Sequence, residues 1–208
     1  LMKRSTDRIL TTHTGSLPWS MDLATMLEAL DSGELLNQDA FKTRVREAVV
    51  EAVGNQVGSG VDVVSDGEQG KVGYSTCVRH PLTGLKGEGS VSVVSDWVDF
   101  RAAITRQPQR STVLRPSCYS PVKWKDKEPL QTDIRNFKAV LSASEATETF
   151  MTAASPGVVD HFMLNHYYPG REAHLARLAE VMREEYNAIH QAGFCCKWTA
   201  LTWPWGII

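Results

Sequence analysis

Gly60-Val61-Asp62-Val63-Val64-Ser65-Asp66-Gly67-Glu68-Gln69-Gly70 decides the reading of this chain. Gly58 and Gly60 end a helical stretch, 61–65 is an apolar, β-prone run, and 66–70 is a polar loop punctuated by glycine. A helix feeding a short strand that opens into such a loop is the repeating unit of an α/β fold. Upstream, Phe41, Val45, Ala48, Val49, Ala52, Val53 and Val57 fall on one helical face. Asp39 is the expected N-cap of that helix. A shorter helix is predicted over 21–30, stopped near Gly33, and a strand over 8–12 that runs into Gly15-Ser16-Leu17-Pro18.

Downstream the pattern continues. Residues 84–99 read as an excursion, a hairpin over the surface, and 112–117 as a third strand ending at Ser120-Pro121. A polar loop spans 125–129, and helices are predicted over 133–143 and 145–153. A fourth strand at 161–165 leads to Tyr167-Tyr168-Pro169-Gly170. Leu175, Leu178, Ala179, Met182, Tyr186 and Ile189 then stripe a long helix closed by Ala192-Gly193. Strand and helix alternate throughout, which predicts α/β with parallel strands, of the (β/α)8 TIM-barrel type. A complete barrel takes roughly 250 residues and eight strands, so the expectation is a barrel truncated after about four strands.

The 208 residues are 42% hydrophobic and 22% charged, a globular balance. The formal net charge of −2 gives no electrostatic reason to expect a nucleic acid or an anionic membrane as partner. Cys77, Cys118, Cys195 and Cys196 match neither a disulfide framework nor a paired zinc motif, which favours a reducing compartment. No apolar run approaches the roughly 20 residues needed to span a bilayer, and the first residues lack the apolar core of a secretory signal. A soluble, cytoplasmic protein is expected.

The tail, 195–208, stands apart. It holds three of the six tryptophans and has neither strand alternation nor helical period. It is either a hydrophobic flap or the product of a single-base frameshift near the Phe194 codon. Reading each codon's third base with the next two bases permits Leu-Leu-Gln-Val-Asp-Cys-Pro, a strand followed by a polar loop. Domain boundaries are therefore expected at 1–194 for the barrel half and 195–208 for an out-of-frame tail.

Three segments carry a resemblance. Thr11-Thr12-His13-Thr14-Gly15-Ser16-Leu17-Pro18 is similar to the loop after the first barrel strand of the cobalamin-independent methionine synthase family. The stretch from Gly60 to Glu68 is similar to that family's Gly-[Leu/Ile]-Asp-Val-x-x-x-Gly-Glu. The third runs from Ala154-Ser155-Pro156-Gly157 through Asn165 to Arg183-Glu184-Glu185-Tyr186 and Gly193-Phe194. The variant His-Thr-Gly-Ser and the run Asp66-Gly67-Glu68-Gln69-Gly70-Lys71 resemble the shorter, single-barrel members. The resemblance implies methyl transfer from a methylated folate to the sulfur of homocysteine, with zinc binding the thiolate and lowering its pKa. In the family the zinc ligands lie in later strands, so this chain is expected not to bind catalytic zinc alone. It is also expected to fold poorly, as an inactive fragment with open strand edges. The alternatives are another zinc-dependent thiol alkyltransferase on the same barrel, or a non-catalytic truncated product.

The resemblance also assigns roles. Backbone N–H groups at Gly15 and Ser16, with the Ser16 hydroxyl, suit an amino acid's carboxylate, and Glu68 suits its α-ammonium. Without the resemblance, Gly15-Ser16-Leu17-Pro18 reads equally as only a turn, and Glu68 as a solvated loop acid, the commoner fate of a glutamate. His13 either lines the site or bonds to the backbone. Asn165 and Tyr168 either contact substrate or folate or pack. His161 and His166 flank the predicted fourth strand, but nothing nearby completes a zinc site.

Overall fold

Helix α1 (Met21–Ser32) and helix α2 (Gln38–Gly58) pack together because their apolar stripes face one another, with Leu23 and Leu27 against Val45 and Ala48. The structure, a computed structural model, describes residues 3–34, 37–73, 77–86 and 116–199. The predicted helix 21–30 is present and ends at Gly33, whose left-handed φ of 75° closes it. The cap of α2 differs from expectation. Asn37 accepts from the Asp39 and Ala40 amides at 3.1 Å, and Asp39 lies inside the first turn, where its charge still suits the helix dipole.

After α2 come β1 (Val63–Val64), a 3₁₀ turn (Cys77–Arg79), β2 (Leu82–Lys86) and β3 (Ser117–Trp124). They are followed by α3 (Glu128–Leu141), β4 (Glu148–Ala154), α4 (Pro156–Phe162), α5 (Arg171–Gln191) and β5 (Cys195–Thr199). The main sheet is parallel, in the order β1-β4-β5, with Val63 opposite Glu148 and Phe150 opposite Cys195. Thr12 bridges in parallel to Val63 on the outer side of β1. Parallel neighbours need crossovers, and α1–α2, α3 and α4–α5 supply them. The fold is thus α/β with a parallel sheet.

Several elements depart from the sequence reading. Of 8–12 only Thr12 joins the sheet, while Arg8 pairs with Asp62. The stretch expected as helix at 145–153 is β4. Its threonines and Phe150 favour an extended chain, and Phe150–Ala154 is buried on both faces, where small and apolar residues run without alternation. The alanines mimic a helix because propensity yields to tertiary context. The strand expected at 161–165 is not formed: His161 and Phe162 end α4, which is capped by Ser155 accepting from the Val158 amide at 3.2 Å and started by Pro156. Only Asn165 retains a strand-like bridge, to Cys118.

The third strand also differs. Residues 112–115 lie outside the described residues, and β3 runs through Ser120-Pro121 rather than stopping there. It pairs antiparallel with β2 in a separate two-stranded sheet. Pro121 is tolerated because the register shifts between Thr83 and Leu85, at Gly84. A Cβ on Gly84 would lie 2.5 Å from the Ser120 carbonyl oxygen, and its φ is 89°. Of the excursion at 84–99, the first residues form β2 and 87–99 lie outside the described residues. The loop expected at 125–129 shortens, because α3 begins at Glu128 with Pro129 in its first turn. The tail, expected to lack strand character, forms β5 over its first five residues. Pairing uses backbone groups, so the open side of β4 orders a segment whose side chains do not alternate.

Two more clusters complete the core. Val49, Val53, Val64, Phe137, Met151 and Ile189 fill the space between the sheet and helices α2, α3 and α5. Val78, Leu82, Val122, Val158, Leu178 and Met182 join the β2–β3 hairpin to α4 and α5. Each fully buried side chain of this size contributes about 1.5–3 kcal/mol. Among the described residues no helix is long and apolar enough to cross a membrane.

Candidate functional site

The segment after Thr12 and the loop after β1 meet at the same end of the sheet. Leu17 donates its amide to the Gly67 carbonyl at 3.1 Å, and Gln69 reaches back to the Leu17 carbonyl at 3.3 Å. Gly15 has a φ of 153°, and a Cβ there would lie 2.5 Å from Thr152 Cγ2 and 2.9 Å from Glu68 Oε1. Only glycine lets the backbone come this close. Glu68 has a φ of 58°, the one non-glycine in the left-handed region among the described residues. Such strain in a bulky residue persists only where its surroundings fix it.

The Glu68 side chain is 5% exposed and accepts one hydrogen bond, from Thr152 Oγ1 at 2.6 Å. An ionised carboxylate has two oxygens and about four acceptor sites, so Oε2 remains available. Gly15 is buried beside it and Ser16 is exposed, and among the described residues the Gly15 and Ser16 amides and the Ser16 hydroxyl donate to no protein acceptor. Free donors beside a free carboxylate oxygen are complementary to the two ends of a zwitterion.

His13 stands behind this junction. Its Nε2 lies 2.7 Å from Gln56 Oε1, and Gln56 donates its amide to the Ala52 and Ser65 carbonyls. Gln56 Oε1 is therefore the acceptor, and His13 carries its proton on Nε2. Nδ1 is buried without a partner. The His13 carbonyl accepts from Lys197 of β5 at 2.5 Å. Ser65 completes the bracket, donating its amide to Gln56 Oε1 at 2.9 Å and accepting the Gly67 amide on its hydroxyl oxygen at 3.0 Å.

Beneath the loop lies a charged group. Lys71 donates to the Thr152 carbonyl at 2.7 Å. Burial opposes its charge, but Glu185, Cys77, Asp66 and Asp133 around it outweigh burial and raise its pKa. Asp133 is pushed up to about 7 by burial and then by Asp66, with Lys71 opposing. Burial likewise raises Asp66 and Glu185, and pushes the Cys77 thiol up to about 12. Lys71, Cys77, Asp133 and Glu185 also form part of the wall of a cavity of about 390 Å³ lined by α2, α3 and α5.

Asn165 and Tyr168 lie elsewhere. Asn165 Oδ1 accepts from the Tyr167 and Tyr168 amides at 3.1 and 2.8 Å, and its Nδ2 donates to the Tyr168 carbonyl at 2.9 Å. The Tyr168 hydroxyl accepts from the Val122 amide at 3.0 Å. These bonds build their own loop and fasten it to β3, and none reaches Gly15, Ser16 or Glu68. His166 stacks on Tyr119, and His161 packs edge-on against Phe162.

Among the described residues no three His, Cys, Asp or Glu side chains converge where a metal ion would sit. The placement of the thiols points the same way. Cys77 lies in the 3₁₀ turn, Cys118 in β3, and Cys195 and Cys196 are successive residues of β5 whose side chains leave opposite faces, so the four thiols do not share one side of a site. The described residues therefore do not fit a zinc centre.

Sequence reasoning missed Thr152, Lys71 and Gln56. Thr152 was hidden because β4 reads as helix. Gln56 was legible as a polar residue at the position of the apolar stripe four after Ala52. Lys71 lay inside the motif with no role attached.

The profile of the family described as "cobalamin-independent synthase, catalytic domain" matches residues 9–155. A methionine synthase of Pyrococcus furiosus is 24% identical over 183 residues, which is 88% of this chain and 48% of that protein. A B12-independent methionine synthase from Shewanella sp. W3-18-1, solved with selenomethionine, superposes with a TM-score of 0.70 at 21% identity. That match covers 90% of this chain and 50% of the other. A vitamin-B12-independent methionine synthase homologue from Listeria monocytogenes gives 0.61 at 16% identity, covering 90% and 51%. The chain thus spans about half the length of the curated relative and solved structures it matches.

Proposed function

The chain belongs to the cobalamin-independent synthase family, within its catalytic domain, and from that premise we propose that it forms the amino-acid-binding part of a methyltransferase acting on a homocysteine-like thiol, with a methylated folate as methyl donor. The observation that carries this reading is the junction of Gly15, Ser16 and Glu68. The Gly15 and Ser16 amides and the Ser16 hydroxyl receive the carboxylate of an α-amino acid, and Glu68 Oε2 receives its ammonium. Holding both ends orients the side chain, and so its sulfur, in one direction. His13 braces the loop through Gln56 and Lys197, whereas Asn165 and Tyr168 shape a separate loop. No zinc ligand is assigned to the described residues.

The parallel strands, in the order Thr12, β1, β4, β5, are then the first four of a (β/α)8 barrel. Their order in space follows their order in sequence, and both functional loops leave the same end of the sheet, as barrel loops do. Residues 195–208 remain the out-of-frame part of this proposal, since the shifted reading supplies a better-patterned strand at the place β5 occupies. Coding DNA with a stop codon in the shifted frame sinks that part alone.

Calorimetric titration of the chain with L-selenomethionine, alongside Glu68→Gln, tests the function. Binding that drops at least tenfold in the variant supports it. No binding to the chain, or binding indifferent to Glu68→Gln, removes it.

A further inference from the structure

Thr152 meets Glu68, Gly15 and Lys71, each through a different atom. Its Oγ1 donates to Glu68 Oε1 at 2.6 Å, its Cγ2 methyl lies 2.5 Å from where a Gly15 Cβ would stand, and its carbonyl accepts the Lys71 ammonium at 2.7 Å. It is 3% exposed and sits near the end of β4, opposite Lys197 of β5. Its hydroxyl is the one hydrogen-bond donor to the Glu68 side chain among the described residues. Glu68 itself rides on a strained backbone with a φ of 58°, so its own chain does not settle where its carboxylate points.

We propose that Thr152 is a positioning residue that sets the spacing between the two ends of the amino-acid site: its hydroxyl engages Glu68 Oε1 so that Oε2 faces the ligand's ammonium, while its methyl fixes how closely the Gly15-Ser16 amides approach. This rests on the amino-acid reading of Gly15, Ser16 and Glu68. Lys71 supports the arrangement from below. By tying down the Thr152 carbonyl it fixes the end of β4 and holds the loop that carries Glu68 against that strand. Both halves of the side chain are needed. Serine keeps the hydroxyl and loses the methyl, and valine keeps the methyl's volume and loses the hydroxyl.

The test compares L-selenomethionine with its des-amino analogue, which lacks the ammonium but keeps the carboxylate and selenoether. Binding to the full chain is measured by calorimetry for the parent, Thr152→Val, Thr152→Ser and Glu68→Gln, with folding of each checked by circular dichroism. Thr152→Val is expected to weaken selenomethionine by about tenfold or more, the worth of one hydrogen bond to a charged group, and to change the des-amino analogue less than twofold. Thr152→Ser is expected to restore discrimination for the ammonium. Equal losses for both ligands in Thr152→Val indicate a merely structural residue and overturn the proposal. So does a Thr152→Val chain that discriminates as the parent does while Glu68→Gln has lost discrimination; the amino-acid reading then survives. If Thr152→Val does not fold, Thr152→Ser carries the test, because discrimination lost despite a retained hydroxyl contradicts the assignment. A parent chain that binds neither ligand overturns the amino-acid reading and this inference together.

Discussion

The loops at 66–71 and 165–170 both stand out in the sequence as polar, glycine-containing segments beside an apolar run, yet they are built in opposite ways. The first closes partly on itself, the Glu68 amide donating to Asp66 Oδ1 and the Lys71 amide to the Glu68 carbonyl, but it is also held from a distance. Leu17 and Thr152 reach it from two other segments, Gln56 brackets Ser65 just ahead of it, and its Lys71 reaches out to β4. The second is held mostly by itself, with Asn165 bonding to residues two, three and five positions ahead. A self-closed loop satisfies its own polar groups and leaves little for a ligand. A loop fixed from outside can keep a carboxylate oxygen unspent, because its shape does not depend on using it.

The sharpest way to break this contrast is Lys71→Met. It leaves Asp66 and the half-buried Asp133 and Glu185 together with no cation, at a cost of about 3 kcal/mol, the low end for losing a buried partner because these acids can take up protons. Urea unfolding reads the loss; a change under about 1 kcal/mol means the loop stands without its buried support.

A pH effect follows from Asp133. Its folded pKa of about 7 lies above its ordinary value of 3.8, so the folded state holds this proton more tightly than the unfolded chain. That contribution is complete below the ordinary value and is lost as pH rises toward about 7, by about 2–4 kcal/mol. Thermal melts of the parent and Asp133→Asn between pH 4 and 8 should differ in slope over that window, with the variant flatter. Parallel curves remove Asp133 from the account.

Gly15→Ala tests the contact between loops. The new methyl meets Thr152 Cγ2 in a backbone conformation that favours glycine, for a cost of about 1–3 kcal/mol. Thr152→Ser removes Cγ2, so the double variant should recover part of the loss, and a double-mutant cycle measures the coupling. Strict additivity would place the two residues out of contact.

The smallest effect is expected at the self-closed loop. Asn165→Ala removes its local bonds at about 1 kcal/mol, visible as faster amide exchange confined to 165–170. Exchange that also quickens at 66–71 shows the two loops to be coupled and dissolves the contrast.

How much was legible differs between fold and site. Helices α1, α2, α3 and α5 were readable because each buries one stripe, and a period of 3.6 survives in the residue order. Strand β4 was not, since a strand buried on both faces has no alternation to read. Short α4 was lost for a related reason: its seven residues are too few to show a period. Gly15, Ser16 and Glu68 were named from the sequence, whereas Thr152 and Gln56, which hold that loop in place, were not.

By itself, then, the sequence determined the α/β class and the family motifs, and through the resemblance it proposed Gly15, Ser16 and Glu68 for an amino acid, because these depend on residue type and local order. Tertiary structure alone decided which strands are neighbours, that β2 and β3 form a separate antiparallel pair, and that Thr152 stands between Gly15 and Glu68. Those outcomes depend on contacts such as that from Glu68 to Thr152, 84 positions apart in the chain. Such a contact leaves no local pattern, because it forms only when the chain closes on itself and buries both partners together.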